Sequence, residues 1–340
     1  MLHQRIHSLP PSSLCPFHVE AVQYLPARSH RDGLTLVFLH ATNMHKEQYE
    51  VVLRHFFALD SSWAGLRIRD AWCIENPNHG ASARRNRTLL NSDRYRDYWT
   101  ADEYARAAFA FLSSTAHGVD FGARTVVGVA HSAASAPLLM LQRRPLPFAF
   151  AGLVFMDAAI LPIGTRATQV LCSVFGNWAK TKPRTFDGVE HARRVLKGTA
   201  YRGWDERSVE LFLKHALRPV DAYDDDDGDA GGERVTLCCS PRQEAAYYLA
   251  PTADLVDEPT QIFLQLTKED VMPIHAIICL NDEYNLFLQR GKGAEMKHFQ
   301  IEHVNRMRNG SVQIIEGGHM VRLRLLSVPF SFSFDDDAEC

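Results

Sequence analysis

The sequence predicts an α/β fold in which a mostly parallel sheet carries helices on both faces. Three observations support this prediction. Apolar runs of strand length recur along the chain, segments with helical periodicity separate them, and turn residues such as Gly, Pro, Asn or Asp follow them. The length of 340 residues fits one large domain with an insertion. The hydrophobic share of 46% and the charged share of 23% are ordinary for a globular protein.

The first half of the chain supplies most of the predicted sheet. Alternating residues at 17–26 predict an edge strand, and the apolar run 34–40 predicts the first fully buried strand. Helical spacing of apolar residues over 45–59 and a short strand within 69–80 then indicate a βαβ crossover. Helices are also predicted at 94–115 and 132–144, and strands at 125–130 and 151–157.

The regular alternation of predicted strands and helices is interrupted in the second half of the chain. Between 162 and 267 the chain reads as amphipathic helices and an acidic, Gly-containing loop, which predicts an inserted lid. Strands return at 272–280 and 311–316, on either side of a polar helical stretch. The predicted organisation is an N-terminal extension with the edge strand (1–30), a first part of the core (31–161), a helical lid (162–267), a second part of the core (268–330) and an acidic tail (331–340).

Charge and composition exclude several classes of function. The formal net charge of −3 favours neither nucleic acid nor an anionic membrane as a partner. No 18-residue apolar stretch predicts a membrane span, and the absence of a signal-type run predicts an intracellular, cytoplasmic protein. Seven irregularly spaced cysteines indicate reduced thiols. No zinc, P-loop or dinucleotide motif occurs, so we expect neither metal nor cofactor; the sequence sets no oligomeric state.

A candidate nucleophile lies where a predicted strand turns into a helix. Ser132 is the centre of Ala130-His131-Ser132-Ala133-Ala134, which follows the strand TVVGVA. A serine on such a turn needs small residues two positions before and after it, usually glycines and here alanines. The segment therefore predicts a nucleophile elbow. The alternative is a serine that caps the helix N-terminus.

A serine nucleophile needs a base and an orienting carboxylate. His319 follows the last predicted strand in Glu316-Gly317-Gly318-His319, where two glycines let the loop bend towards the serine. His131 is assigned to packing, because adjacent side chains diverge at a sharp turn. Asp157 ends one predicted strand and Asp282 follows another, and both remain candidates for the acid.

An oxyanion also needs preorganised N–H donors. The Ala133 amide follows the nucleophile and supplies the first; the Thr42 amide, in the loop after LTLVFLH, is our candidate for the second. His40 is expected to support that loop by hydrogen bonding. The turn Pro77-Asn78-His79-Gly80 is predicted to have a structural role.

These motifs resemble those of the α/β-hydrolase superfamily across residues 30–330. Within it, the chain is most similar to fungal hydrolases of toxin and polyketide biosynthesis, the group that contains the acyl-CoA hydrolase of the mycophenolic-acid pathway. The matching stretches are FLHATNMHKEQYE, AWCIENPNHGAS, VVGVAHSAAS, LVFMDAAILP and VTLCCSPRQEAAYY. The resemblance implies that Asp157 is the acid, and it suggests acyl-CoA thioesters and secondary metabolism.

The chain departs from that group at two places. Ala133-Ala134-Ser135 stands where the group usually has Met-Gly-Gly. Members often end in a peroxisomal tripeptide, whereas this sequence ends in Ala-Glu-Cys, so a peroxisomal location rests on the resemblance alone.

The predicted function is a serine hydrolase that cleaves a small-molecule ester or thioester through an acyl-enzyme on Ser132. The predicted lid would roof the acyl pocket. The alternative is a non-catalytic protein of the same fold that binds a small molecule or acts as a scaffold, favoured by the loss of both elbow glycines. A lyase or a cofactor-independent haloperoxidase would use the same three residues.

Overall fold

The structure, a computed structural model, describes residues 2–59, 67–198, 201, 203–220, 224, 233–250, 253–279, 292–316 and 319. The predicted acidic tail 331–340 lies outside these residues, as does most of the acidic loop. Among the described cysteines all six are free and buried.

An eight-stranded sheet forms the centre of the molecule. Its strands run in the spatial order β1-β2-β4-β3-β5-β6-β10-β11. The β3, β4, β5, β6, β10 and β11 pairs are parallel, and β1 and β2 join antiparallel at one edge. The strands are β1 His3–Leu9, β2 Val19–Leu25, β3 Leu34–Leu39, β4 Ile68–Ile74, β5 Val126–His131, β6 Phe150–Met156, β10 Ile274–Cys279 and β11 Gly310–Ile315. The predicted α/β architecture is confirmed.

The prediction of an edge strand at 17–26 is wrong in its position. That segment forms β2, which is buried along most of its length and pairs with β4 on one side. On its other side β1 pairs over seven residues, from His3 opposite Leu25 to Leu9 opposite Val19, and is itself the edge. The side chains of β1 are mostly exposed, so its sequence HQRIHSL carries no apolar run by which to detect a strand.

Helices cover both faces of the sheet, as parallel strands require. Among the described residues they are α1 Glu50–Leu59, α2 Gly80–Arg85, α3 Arg87–Leu90, α4 Ala101–Ser113, α5 Ser135–Leu141, α6 Arg166–Lys180, α7 Val189–Lys197, α8 Glu206–His215, α9 Pro241–Leu249, α10 Glu258–Glu269 and α11 Lys292–Val304. A capping box of Thr100 and Glu103 begins α4. No helix in the described ranges combines the length and apolar character needed to cross a membrane.

The inserted segment contains a small sheet as well as helices. Strands β7 Thr185–Phe186, β9 Val235–Leu237 and β8 Leu217–Pro219 pair antiparallel in that order. With α7 and α8 they enclose a separate apolar cluster that includes Phe186, Leu196 and Phe212. These strands of two or three residues are too short for a periodic sequence signal. The segment therefore has a core of its own beside the core of the main sheet.

Helices α6 and α9 approach each other closely. A Cβ added at Gly176 of α6 would lie 2.5 Å from Leu249 Cγ of α9, so the absence of a side chain permits this packing. Helix α9 begins with two local signals: Ser240 Oγ accepts a hydrogen bond from the Gln243 amide at 3.2 Å, and Pro241 occupies the first turn. This helix pair forms one wall of the site described next.

Candidate active site

The turn after β5 holds the Ser132 backbone in an uncommon conformation. Ser132 has φ +54°, in the left-handed region, and it begins a short 3₁₀ turn, Ser132–Ala134, that leads into α5. Ala130 and Ala134 are buried on either side. Ala134 has φ −70° and ψ −8°, a right-handed conformation that alanine adopts without strain. The turn thus tolerates alanine where glycine is usual.

Ser132, His319 and Asp157 form one chain of hydrogen bonds. Ser132 Oγ lies 2.8 Å from His319 Nε2, and His319 Nδ1 lies 2.6 Å from Asp157 Oδ2. The carboxylate accepts a hydrogen bond from Nδ1–H, which keeps that proton on Nδ1 and leaves Nε2 free to accept the proton of the serine hydroxyl. The structure therefore brings together three residues that the sequence places 25 and 162 positions apart. The glycines at 317 and 318 lie outside the described residues.

Asp157 is held on both carboxylate oxygens. It follows β6 with φ +40°, its amide donates to the Ile277 carbonyl at 2.7 Å, and its Oδ1 accepts from the Cys279 amide at 3.1 Å. Lys297 Nζ lies 3.6 Å from the same Oδ1. Burial alone would raise the pKa of Asp157, but the hydrogen bond from His319 and the charge of Lys297 lower it below the usual value. Asp157 is therefore ionised at neutral pH.

The other candidate acid, Asp282, lies outside the described residues. The observed partner of His319 Nδ1 is Asp157, the residue that the resemblance to the fungal hydrolases favoured.

His131 forms a hydrogen bond with His319 as well as packing against it. Its Nε2 donates to the His319 carbonyl at 2.8 Å, and the two ring centroids are 5.1 Å apart. Burial lowers the pKa of His131 to about 4, so the ring is neutral at pH 7. His131 thus ties the His319 backbone to the residue that precedes Ser132.

The loop after β3 lies beside the serine. Thr42 and Ala133 both line the cavity into which Ser132 opens. The next amide, that of Asn43, donates to His79 Nε2 at 2.9 Å, and Asn43 has φ +62°. The Asn43 amide is therefore already bonded to His79 and is not available to a ligand at the serine. Thr42, one residue earlier, lines the cavity.

Two buried histidines support this loop. His40 Nδ1 donates to the Ala41 carbonyl at 2.9 Å, and His40 Nε2 accepts from the Asn76 amide at 3.0 Å. Burial lowers the pKa of His40 to about 3 and lowers the pKa of His79 well below its usual value. Both rings are neutral at pH 7 and act as fixed hydrogen-bonding groups, in agreement with the structural roles expected of them.

The cavity beside Ser132 encloses about 1090 Å³ of empty space, solvent at its mouth included. Its walls come from the strand ends and from the inserted segment, and most of the side chains are apolar. The inserted segment contributes Leu171, Cys172, Phe175, Trp178, Lys182, Tyr201, Trp204, Glu244, Tyr248 and Leu255. Tyr247 of α9 donates to the Ala133 carbonyl at 2.8 Å, which fixes the inserted segment against the elbow.

Three charged residues of this site were not found from the sequence. Lys297 lies against Asp157, and Lys182 and Glu244 line the cavity. Lys182 and Lys297 belong to no motif, whereas Glu244 lies in the stretch VTLCCSPRQEAAYY, which was noted only for its resemblance. Each of the three meets its partner only through tertiary packing. A further signal was the spacing of Glu244 and Tyr248, four residues apart on a predicted helix and hence on one face.

Comparison with known families identifies the class of protein. Residues 36–327 match the model of the alpha/beta hydrolase family, and the chain belongs to that family. No protein with a curated description matches the sequence.

Solved structures of similar fold include hydrolases of several kinds. The peroxisomal alpha-beta-hydrolase Lpx1 of Saccharomyces cerevisiae is 16% identical with a TM-score of 0.61, over 94% of this chain and 84% of that one. The thioesterase domain of the curacin biosynthetic pathway is 10% identical with a TM-score of 0.57, over 94% of each chain. An esterase of M. tuberculosis is 13% identical with a TM-score of 0.56, over 94% and 86%. At these identities the likeness shows the shared fold.

Proposed function

We propose that the protein is a serine hydrolase that cleaves an ester or thioester through an acyl-enzyme on Ser132. The observation that carries the proposal is the hydrogen-bonded chain from Ser132 through His319 to Asp157, which ends at a largely apolar cavity. A serine, an imidazole and a carboxylate in this order activate the hydroxyl for attack on an acyl carbon.

In the first half of the reaction, His319 Nε2 takes the proton of Ser132 Oγ as Oγ bonds to the carbonyl carbon of the substrate. The tetrahedral intermediate then collapses, and His319 gives the proton to the departing alcohol or thiol. In the second half, His319 takes a proton from water, which attacks the acyl-enzyme and releases the acid, and Ser132 regains its proton. Asp157 orients His319 and stabilises its protonated form.

The amides of Ala133 and Thr42 are the proposed donors to the oxyanion. Both residues line the cavity at Ser132, and the hydrogen bond between His79 and the Asn43 amide fixes the loop that carries Thr42. Donors that are already oriented need no reorganisation when the charge forms, and removal of one typically costs about 10²–10³-fold in kcat.

We further propose that the inserted segment, residues 162–267, acts as a lid that sets the acyl specificity. Its side chains form much of the cavity wall, and Tyr247 anchors it to the elbow. The esterase and thioesterase among the similar structures support an ester or thioester substrate. The resemblance to the fungal hydrolases supports an acyl-CoA and a place in secondary metabolism.

A non-catalytic binder of the same fold is the weaker candidate. Its support was the replacement of the elbow glycines by alanine. The right-handed conformation of Ala134 and the intact hydrogen-bonded chain at Ser132 weaken that support, because the backbone at 134 does not require glycine.

The test is covalent labelling of the wild type, Ser132→Ala and Ser12→Ala with a fluorophosphonate probe, beside hydrolysis of p-nitrophenyl esters and acyl-CoAs of varied chain length. We expect labelling and turnover in the wild type and in Ser12→Ala, which alters an exposed serine, and neither in Ser132→Ala. A folded wild type that does not label would contradict the proposal and favour the binder.

A further inference from the structure

The cavity wall contains a buried ion pair that the proposed chemistry does not use. Lys182 Nζ contacts Glu244 Oε1, and the side chains are only 11% and 1% exposed. The ammonium also lies 3.8 Å from the centroid of the Trp178 ring. All three residues line the cavity that contains Ser132.

One oxygen of this pair is left without a partner. Within the described part of the chain, no donor reaches Glu244 Oε2, although that atom is buried. An unsatisfied buried polar atom costs about 1–3 kcal/mol, and more when the group is charged. Native proteins rarely leave such an atom unpaired, and a ligand donor in the cavity can satisfy it once rotation of the Glu244 carboxylate turns Oε2 from its buried position towards the ligand.

The pair lies in the same cavity as the elbow. Glu244 and Tyr248 of α9 both line that cavity, and between them Tyr247 donates to the Ala133 carbonyl. On the adjoining wall Leu171, Phe175 and Trp178 of α6 precede Lys182 at helical spacing. Because all of these side chains line one cavity with Ser132, we take the apolar wall of α6 as the course of an acyl chain that ends at the ion pair.

The charges of the pair define the ligand group. An anionic group would be repelled by Glu244 about as much as it is attracted by Lys182, and the reverse holds for a cationic group, so the pair favours neither sign of charge. A hydroxyl carries no charge, and it can donate to Glu244 Oε2 while its oxygen accepts from the ammonium of Lys182. A plain alkyl chain would cover the carboxylate and leave Oε2 unsatisfied.

We infer that Lys182 and Glu244 form a subsite for a neutral hydroxyl group on an otherwise apolar acyl chain. The inference rests on the proposed function, because it takes Ser132 as the point where the acyl group begins. It makes the substrate a hydroxylated acyl ester or thioester rather than a simple fatty one.

The test measures binding without turnover. In the Ser132→Ala background, calorimetry compares ethyl ω-hydroxyalkanoates with ethyl alkanoates of equal chain length from six to twelve carbons. At one chain length we expect the hydroxylated ester to bind about tenfold or more tightly, since a hydrogen bond to a charged group contributes about 1.5–3 kcal/mol. A pantetheine thioester of the plain acid shows whether the subsite takes an amide of the thiol portion instead.

The double variant removes the subsite without leaving one charge alone. Lys182→Met with Glu244→Met deletes both charges and should bring the affinity ratio close to one. Glu244→Gln keeps an acceptor oxygen but leaves the Lys182 ammonium without its carboxylate, and it should give an intermediate ratio. Lys180→Met, at the exposed last residue of α6 and two residues before Lys182, should keep the full ratio. Circular dichroism establishes that each variant is folded.

Three results would overturn the inference. The first is no preference for the hydroxyl at any chain length, and the second is a preference that survives the double substitution. The third is a double substitution that weakens the binding of the pantetheine thioester alone, because the amide would then be the ligand. The proposed function fails separately, if the wild type does not react with the fluorophosphonate, since the binding ratio does not depend on turnover.

Discussion

Two buried carboxylates line the same cavity and differ in how they are paired. Asp157 follows a strand of the main sheet, and both of its carboxylate oxygens are bonded. One oxygen accepts a hydrogen bond from His319 and the other from the Cys279 amide, with Lys297 beside it. Glu244, in the inserted segment, forms an ion pair with Lys182 through one oxygen. Its other oxygen has no hydrogen-bond donor among the described residues. The first carboxylate is complete without a ligand, and the second is not.

This difference in pairing fits two different proposed roles, orientation of the catalytic base for Asp157 and recognition of the substrate for Glu244. A group that orients a base must be fixed before the substrate arrives, and the backbone of parallel strands provides that rigidity. A group that selects a substrate must keep an open hydrogen-bonding position until the substrate arrives. Under the proposed function the strand ends carry the reaction, and the inserted segment is proposed to set its specificity, as is common where one fold serves many substrates.

The largest expected loss of activity is at Asp157, the carboxylate that is paired on both oxygens. In Asp157→Asn the amide has nearly the shape of the carboxylate but favours the wrong tautomer of His319, so we expect kcat to fall about 10⁴-fold. The measurement is steady-state hydrolysis of a p-nitrophenyl ester, with unfolding by urea to show that the variant is folded.

Asp282→Asn is the matched control, because Asp282 was the other acid that the sequence allowed. We expect its kcat to stay close to that of the wild type. The reverse pattern, a large loss in Asp282→Asn and a small one in Asp157→Asn, would show that the observed hydrogen bond to His319 is not the catalytic one.

A smaller effect is expected at His131, which holds the His319 backbone through its Nε2 donor. His131→Leu removes the donor and frees the loop to shift, and misplacement of a catalytic group by about 1 Å can cost 10²-fold. We expect kcat to fall roughly 10- to 100-fold with little change in KM, because the acyl cavity is untouched. Steady-state kinetics on one ester series measures both.

His131→Gln distinguishes positioning from simple packing, because its side-chain amide can donate from nearly the same place as Nε2. We expect it to recover most of the lost kcat. Equal losses in both variants would mean that the ring volume, not the hydrogen bond to His319, is what matters at this position.

The sequence predicted the parts of the molecule that depend on local pattern. Apolar runs located β3, β5, β6 and β10 to within two residues at each end, and the strand-to-helix context located the turn at Ser132. The mostly exposed strand β1 and the short strands β7 to β9 lacked such a pattern and were missed.

Side-chain pairing was less predictable than the strands. Asp157 and Asp282 each lie at the C-terminal end of a predicted strand, so spacing alone did not separate them. The pairing of Lys182 with Glu244 depends on how α9 lies against the end of α6, 62 residues away in sequence. Contacts of this kind are fixed by packing between elements and leave no periodic trace along the chain.

The smallest effect is expected at Ala134, and it tests why alanine is present in the elbow. The strained residue of the turn is Ser132, with φ +54°, whereas Ala134 has φ −70° and ψ −8°. Ala134→Gly therefore relieves no strain and adds freedom to the unfolded chain. We expect the free energy of unfolding to fall by about 0.5–1 kcal/mol and kcat to change by less than about twofold.

Ala134→Val tests the opposite change at the same position, a larger side chain instead of a smaller one. Ala134 is 2% exposed, so a larger branched side chain has no room and should reduce both stability and turnover, at a cost of about 1–3 kcal/mol. Urea unfolding and ester hydrolysis measure the two effects. If Ala134→Gly instead raised kcat severalfold, the alanine would be restraining the turn, and the elbow would be a weakened form of the usual one rather than an equivalent of it.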